Sequence, residues 1–171
     1  GAFAYLAKLR KGLFKDFGVC NSPFNVFLTG IGLETLGLRM DRICETAHKL
    51  AKYLEKNKKV YKVNYPGLQN SKYYRIAKEQ FGEKFGGILT IRVGSKENAY
   101  KVINNLKFAY NLANVGDART LVIHPASTIY VANSTEEKER MGVYEDLIRI
   151  SVGLEDFDDI AEDFAQALDK I

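Results

Sequence analysis

Asn114, Gly116, Asp117, Arg119 and His124 crowd into one short stretch, NVGDARTLVIHPAS (Asn114–Ser127). An amide, an acid, a guanidinium and an imidazole around the apolar run Leu121–Ile123 could form a loop that touches a ligand. They could equally form an ordinary entrance to a strand. On that reading Asn114 and Gly116 supply positive-φ turn conformations, Asp117 is a solvated turn residue, and His124-Pro125 ends the strand with the histidine packed under the sheet. A second stretch, DLIRISVGLED (Asp146–Asp156), sets Arg149 between Ile148 and Ile150. On a strand its side chain faces away from both isoleucines. Such an arginine either meets solvent or holds a carboxylate, for which its planar fork offers two parallel N–H bonds on a rigid mount. Residue types alone leave both pairs of readings open. The chain has no Gly-rich phosphate loop, no Ser-His-Asp order, no HExxH and no lysine set as a nucleophile in apolar surroundings.

The elements that must position these residues follow from the apolar spacing. Phe3, Leu6, Leu9, Leu13 and Phe17 form one stripe of a helix over residues 3–17. Ser22 caps a second helix with Pro23 in its first position. That second segment runs to about Asn57, and its glycines (Gly30, Gly32, Gly37) predict a bend or break. The pattern changes after Lys58. VYKVNYPG (Val60–Gly67) alternates as a strand ending in a turn, and GGILTIRVG (Gly86–Gly94) is the clearest strand. Tyr73–Phe81 and Glu97–Leu106 read as short helices, the latter with Tyr100 and Ile103 inward. A short segment around Phe108–Leu112 and the strands Thr120–Ile123 and Leu147–Val152 follow. A last helix is capped by Asp156, carries Asp158 and Asp159 in its first turn, and buries Phe157, Ile160, Phe164, Leu168 and Ile171. The expected fold class is α+β, a small and largely antiparallel sheet with helices on one face, preceded by a long helical arm.

Composition narrows the function classes. At 171 residues, 46% of them hydrophobic, the chain has material for one real core. The net charge of +4 comes largely from lysines between Lys49 and Lys62, on the outer face of a helix whose other face is apolar. That is a solvated surface, not a nucleic-acid footprint. No apolar run reaches the ~18–20 residues of a membrane span. Cys20 and Cys44 show neither metal spacing nor a disulfide framework, so a reducing cytoplasm is expected, and two histidines are too few for a histidine metal site.

Four blocks in register, SPFNVFLTGIGLETLGLRM (Ser22–Met40), VNYPGL (Val63–Leu68), NVGDARTLVIHPAST (Asn114–Thr128) and LIRISVGLED (Leu147–Asp156), resemble the C-terminal portion of the Cys/Met-metabolism family of pyridoxal-phosphate enzymes. With the helix between the first two they span nearly the whole chain. Asn25, Asn114 and Arg119 look like the O-acetylhomoserine sulfhydrylase branch, since lyases and γ-synthases tend to carry Asp, Ser and Glu there. One departure is Ile129-Tyr130 after Thr128, where the family commonly reads HPAST-T-H.

The resemblance implies a division into residues 1–57, the end of a large cofactor domain with its connecting helix, and residues 58–171, a C-terminal substrate-binding domain. It gives Arg149 the substrate α-carboxylate, sets Asn114 and Val115 beside the cofactor-bearing lysine and the substrate backbone, and puts Thr128 and Ser127 at the outer pocket. No catalytic, cofactor-binding or metal residue is expected within these residues. The chemistry implied is γ-replacement on O-acetylhomoserine. Acetate leaves, sulfide or methanethiol adds, and homocysteine or methionine results, with pyridoxal 5'-phosphate as electron sink. The expectation is therefore a C-terminal fragment that binds no cofactor and is inactive alone, from a homo-oligomeric, tetrameric parent. Phe3, Leu6, Phe24, Phe27 and Leu28 are expected to expose a sticky surface that promotes self-association. The alternatives are a methionine γ-lyase or cystathionine γ-synthase fragment, or a non-catalytic α+β interaction module.

Overall fold

The structure is a computed structural model describing residues 1 and 3–171. The described chain forms two compact units, Gly1–Gly37 and Leu38–Ile171. In the first, the expected single helix is interrupted: α1 spans Ala4–Lys11 and α2 spans Leu13–Phe17. Gly12 stands between them at φ −104°, ψ −118°, and a Cβ there would come within 3.1 Å of the Lys8 carbonyl oxygen. A side chain there would crowd that oxygen, which glycine avoids. α3 (Pro23–Glu34) starts as the sequence predicts, with the Asn25 N–H donating to Ser22 Oγ at 3.2 Å and Pro23 in its first turn. The long second helix is broken at Thr35, before α4 (Leu36–Glu55). The break falls between Gly32 and Gly37, where helix propensity is lowest. No residue of α1–α3 is buried, and Phe3, Phe24 and Phe27 are 78%, 67% and 62% exposed. This unit therefore contains no core of its own.

The second unit is built on five strands: β1 (Lys62–Asn64), β2 (Ile88–Arg92), β3 (Tyr110–Asn111), β4 (Leu121–Ile123) and β5 (Leu147–Ser151). Their order is β1-β2-β5-β4-β3, and every pair is antiparallel except β3 with β4. The fold is thus α+β with a mostly antiparallel sheet. Cross-strand register puts Leu89 opposite Ile150, Ile91 opposite Ile148, and Val122 opposite Ile150. These residues enter one apolar cluster with Leu50 and Leu54 of α4, Val102 of α6 (Lys96–Asn105), and Ile160, Phe164 and Leu168 of α8 (Phe157–Leu168). Alternation sends every second strand residue to the other face. The buried face of α4 belongs to the sheet's core.

Three further differences have local causes. Tyr100 is 38% exposed instead of inward, and its ring stands edge-on to His124 at 4.9 Å. Asp156 occupies the N-cap position of α8 but makes no capping bond, since its carboxylate pairs with Arg42 Nη2 at 2.5 Å. An additional helix, α7 (Thr135–Arg140), is closed by a reciprocal capping box between Ser134 and Glu137, and the S-T-E-E spacing carries its signal.

α4 also presents His48 edge-on to Phe85 at a centroid distance of 5.4 Å, and tilted to Tyr65 at 6.0 Å. Its Nε2 is buried and has no partner among the described residues. Burial, helped by Lys52 and opposed by Glu83, lowers its pKa below the usual 6.5. The unfolded chain then takes up this proton more readily than the folded one. The neutral-histidine contribution is complete above pH 6.5 and is lost as pH falls through that value toward the depressed one. As pH falls below 6.5, urea midpoints should decline more steeply in the wild type than in His48→Gln, and parallel slopes would refute the assignment.

Candidate functional site

On the second face of the sheet one cross-strand row reads Thr90–Arg149–Ile123. Arg149 stands there because its neighbours Ile148 and Ile150 are fully buried in the core on the first face. A one-residue slip would bury a guanidinium and expose two isoleucines, so register is firmly set. The side chain is partly buried. Its Nη2 donates to the Asn114 carbonyl oxygen at 3.1 Å, and its Nε is buried with no partner among the described residues. No carboxylate among the described residues pairs with it.

The loop that carries Asn114 joins β3 to β4. Gly116 takes a positive φ of 77°, as its turn requires, whereas Asn114 does not. Asn114 Nδ2 approaches the Asp117 carboxylate at 3.5 Å, and the same carboxylate accepts the Arg119 N–H at 3.1 Å. Asp117 is therefore an internal turn brace. The Arg119 guanidinium lies over the Tyr110 ring, 4.7 Å from its centroid.

The loop's far end is fixed by a knot of buried bonds. Glu155 accepts both the Thr120 N–H at 2.7 Å and the Thr120 hydroxyl at 2.8 Å, while Thr120 Oγ1 accepts the Gly153 N–H at 3.0 Å. The Leu154 N–H donates to the Ala118 carbonyl oxygen at 2.8 Å. A Cβ on Gly153 would lie 2.5 Å from that same oxygen, so only glycine permits the approach. Arg42 joins from α4, donating to the Leu154 and Glu155 carbonyl oxygens at 3.4 and 3.3 Å.

Beyond β4 the chain makes a single 3-10 turn, Pro125–Ser127, organised by His124. His124 Nε2 lies 2.7 Å from the Glu145 carbonyl oxygen, which only accepts, so Nε2 carries the proton. Nδ1 then accepts from the Ser127 N–H at 3.3 Å and lies 2.8 Å from Ser127 Oγ. The ring is 97% hidden with both nitrogens occupied, which makes it a structural histidine packed under the sheet.

The structure thus brings Arg149 and Asn114 into direct contact, through the backbone of the latter. It brings none of the other sequence-predicted site residues onto Arg149 by a hydrogen bond. Val115 is 61% exposed at the loop tip. Ser127 and Thr128 are exposed, with Ser127 Oγ at His124 Nδ1 and Thr128 Oγ1 donating to the His124 carbonyl oxygen at 2.8 Å. Sequence reasoning missed Thr120, Glu155 and Arg42 as the supports of the loop. Their partners lie far apart in the chain, and no local spacing announces them.

Solved structures that share this α+β unit include pyridoxal-phosphate enzymes. O-acetylhomoserine sulfhydrylase of Wolinella succinogenes superposes with a TM-score of 0.81 at 36% identity, covering 97% of this chain and 44% of that one. A Campylobacter jejuni structure described as an O-acetylhomoserine (thiol)-lyase, with an N'-pyridoxyl-lysine-5'-monophosphate, gives 0.90 at 33% identity, covering 95% and 39%. Residues 4–169 match the model of the Cys/Met metabolism PLP-dependent enzymes, and the chain belongs to that family. Among curated relatives, homocysteine synthase of Schizosaccharomyces pombe is 47% identical over 99% of this chain, and O-acetyl-L-homoserine sulfhydrylase of Corynebacterium glutamicum 42% identical over 95%. The chain spans only 40% and 38% of those two relatives' lengths.

Thr120→Val keeps the shape of the side chain and removes its hydroxyl, leaving the Gly153 N–H and one Glu155 oxygen without their bonds. We expect a loss of about 1–3 kcal/mol in urea denaturation. A variant as stable as the wild type would show that the knot does not hold the loop.

Proposed function

We propose that the chain is the C-terminal, substrate-binding part of an O-acetylhomoserine sulfhydrylase-type enzyme. In this reading residues 58–171 form the substrate-binding domain, and residues 1–57 the end of a larger domain with its connecting helix. The observation that carries it is Arg149, a strand-mounted guanidinium with one buried N–H unpartnered and one nitrogen anchored to the Asn114 carbonyl. A buried donor left without a partner costs about 1–3 kcal/mol. The α-carboxylate of an amino-acid substrate removes that cost and meets a fork built for two oxygens. The names of the relatives support O-acetylhomoserine as the substrate and sulfide as the second reactant. A methionine γ-lyase or cystathionine γ-synthase activity fits Asn25, Asn114 and Arg119 less well.

Pyridoxal phosphate, when bound, supplies the electron sink that makes loss of acetate from the γ-carbon feasible. The residues described above fit the substrate's carboxylate rather than this cofactor, and we assign its lysine and phosphate contacts to sequence outside these residues. What this chain contributes is orientation. Arg149 fixes one end of a small amino acid, and the braced loop holds Asn114 and Val115 over it, so the bond to be broken is presented in one pose. Ser127 and Thr128 stand at the outer rim, beside Ile129 and Tyr130 in place of the usual Thr-His. The exposed aromatic residues of Gly1–Gly37 support burial against other parts of a homo-oligomeric, tetrameric enzyme. No helix of the described residues is long and apolar enough to cross a membrane. We place the enzyme in the cytoplasm.

In the full-length enzyme, Arg149→Ala should lower kcat/KM for O-acetylhomoserine roughly 10- to 100-fold, mostly through KM, with Arg149→Lys intermediate. Cofactor absorbance should stay unchanged, and an unaltered KM would remove Arg149 from substrate binding. The 171-residue polypeptide expressed by itself should show no aldehyde-adduct absorbance after incubation with pyridoxal phosphate and dialysis. A retained band would place the cofactor lysine among these residues.

A further inference from the structure

On the face that carries Arg149, the next rows of the sheet open into a pocket of about 370 Å³ that the proposed reaction does not use. Thr90, the cross-strand neighbour of Arg149, forms part of its lining, as do Arg92 and Leu147, which face one another across β2 and β5. Its charges are Lys62, Lys72, Arg92 and Arg140, and no carboxylate lines it. The side chains of Lys62, Lys72 and Arg140 make no ion pair or hydrogen bond among the described residues, although the Lys72 ammonium sits 4.8 Å from the centroid of the Tyr73 ring. Glu136 and Glu139 share a neighbouring hollow with Arg140, yet neither pairs with it.

Arg92 differs from the other three in being held rigidly. Its Nε donates to buried Asp146 at 2.8 Å, and Asp146 also accepts the Gly94 N–H at 3.0 Å. Its guanidinium lies over the Tyr144 ring, 4.0 Å from the centroid, and over the Tyr61 ring at 5.4 Å. Asp146 is thus already committed, while the terminal nitrogens of Arg92 make no hydrogen bond among the described residues. Cations gathered around a concave surface repel each other and focus a positive potential into it. A braced arginine fork next to unpaired lysine ammonium groups matches a multiply charged oxyanion.

We propose that this pocket binds the phosphate group of a small molecule, as a second site beside the substrate carboxylate. Inorganic phosphate and an organic phosphate share the chemistry, and the size of the pocket leaves room for the organic part of the second. The Tyr73 and Tyr144 rings at its wall offer that part an aromatic surface.

The test is calorimetric titration of the full-length holoenzyme, its cofactor site filled, with inorganic phosphate and separately with adenosine monophosphate. One saturable site is expected for at least one probe, weakening as salt rises. Binding of both points to the phosphate alone, and binding of the nucleotide only points to an organic phosphate. The Lys62→Gln/Arg140→Gln variant should lose about tenfold or more in affinity. Lys101→Gln, outside the pocket, should match the wild type. Arg149→Ala should also leave phosphate binding unchanged, which separates this site from the carboxylate site whatever the fate of that assignment. No binding of either probe, equal binding by the double variant, or loss of binding in Arg149→Ala would each overturn the proposal.

Discussion

The alternation along β5 is the constraint on which the rest depends. Ile148 and Ile150 are fully buried against α4, α6 and α8, and this single requirement decides which face the residue between them occupies. Two isoleucines in a core outweigh one partly buried guanidinium, since each contributes ~1.5–3 kcal/mol of burial. The arginine is held at the surface of the sheet by hydrophobic packing behind it. Its position is therefore as rigid as the core behind it.

The loop opposite Arg149 is held in another way. It has no apolar core of its own, and polar bonds at its root take that place: Thr120, Glu155 and Gly153 on one side, Ala118 and Leu154 on the other. The tip remains exposed. Rigidity at the root with exposure at the tip is an arrangement found where a loop on a fixed scaffold meets a small molecule.

Much of this could be read from the sequence, for reasons that differ between elements. Strands β2 and β5 were plain because a buried sheet leaves an alternating or near-continuous apolar run, and the stripe of α8 because its period is helical. The face of Arg149 followed from its two neighbours. The break at Gly12 leaves no mark in the pattern, because an apolar stripe continues through it unchanged, and α7 has only its local capping box to signal it. The supports of the site were hidden for a stronger reason. Thr120 and Glu155, or Arg92 and Asp146, meet only when the sheet assembles, and neither residue of a pair signals the other along the chain. Resemblance to a family supplied roles for Arg149 and Asn114. It did not supply the physical means by which either is held.

The bond between Arg149 and residue 114 runs to a main-chain oxygen, and main-chain atoms do not change when a side chain is exchanged. The anchor of the arginine is thus insensitive to the amino acid at position 114. The side chain there stays free to differ between relatives while the clamp beneath it keeps its geometry. The arginine's position is thus uncoupled from the chemistry displayed at the loop tip, and one can vary without disturbing the other.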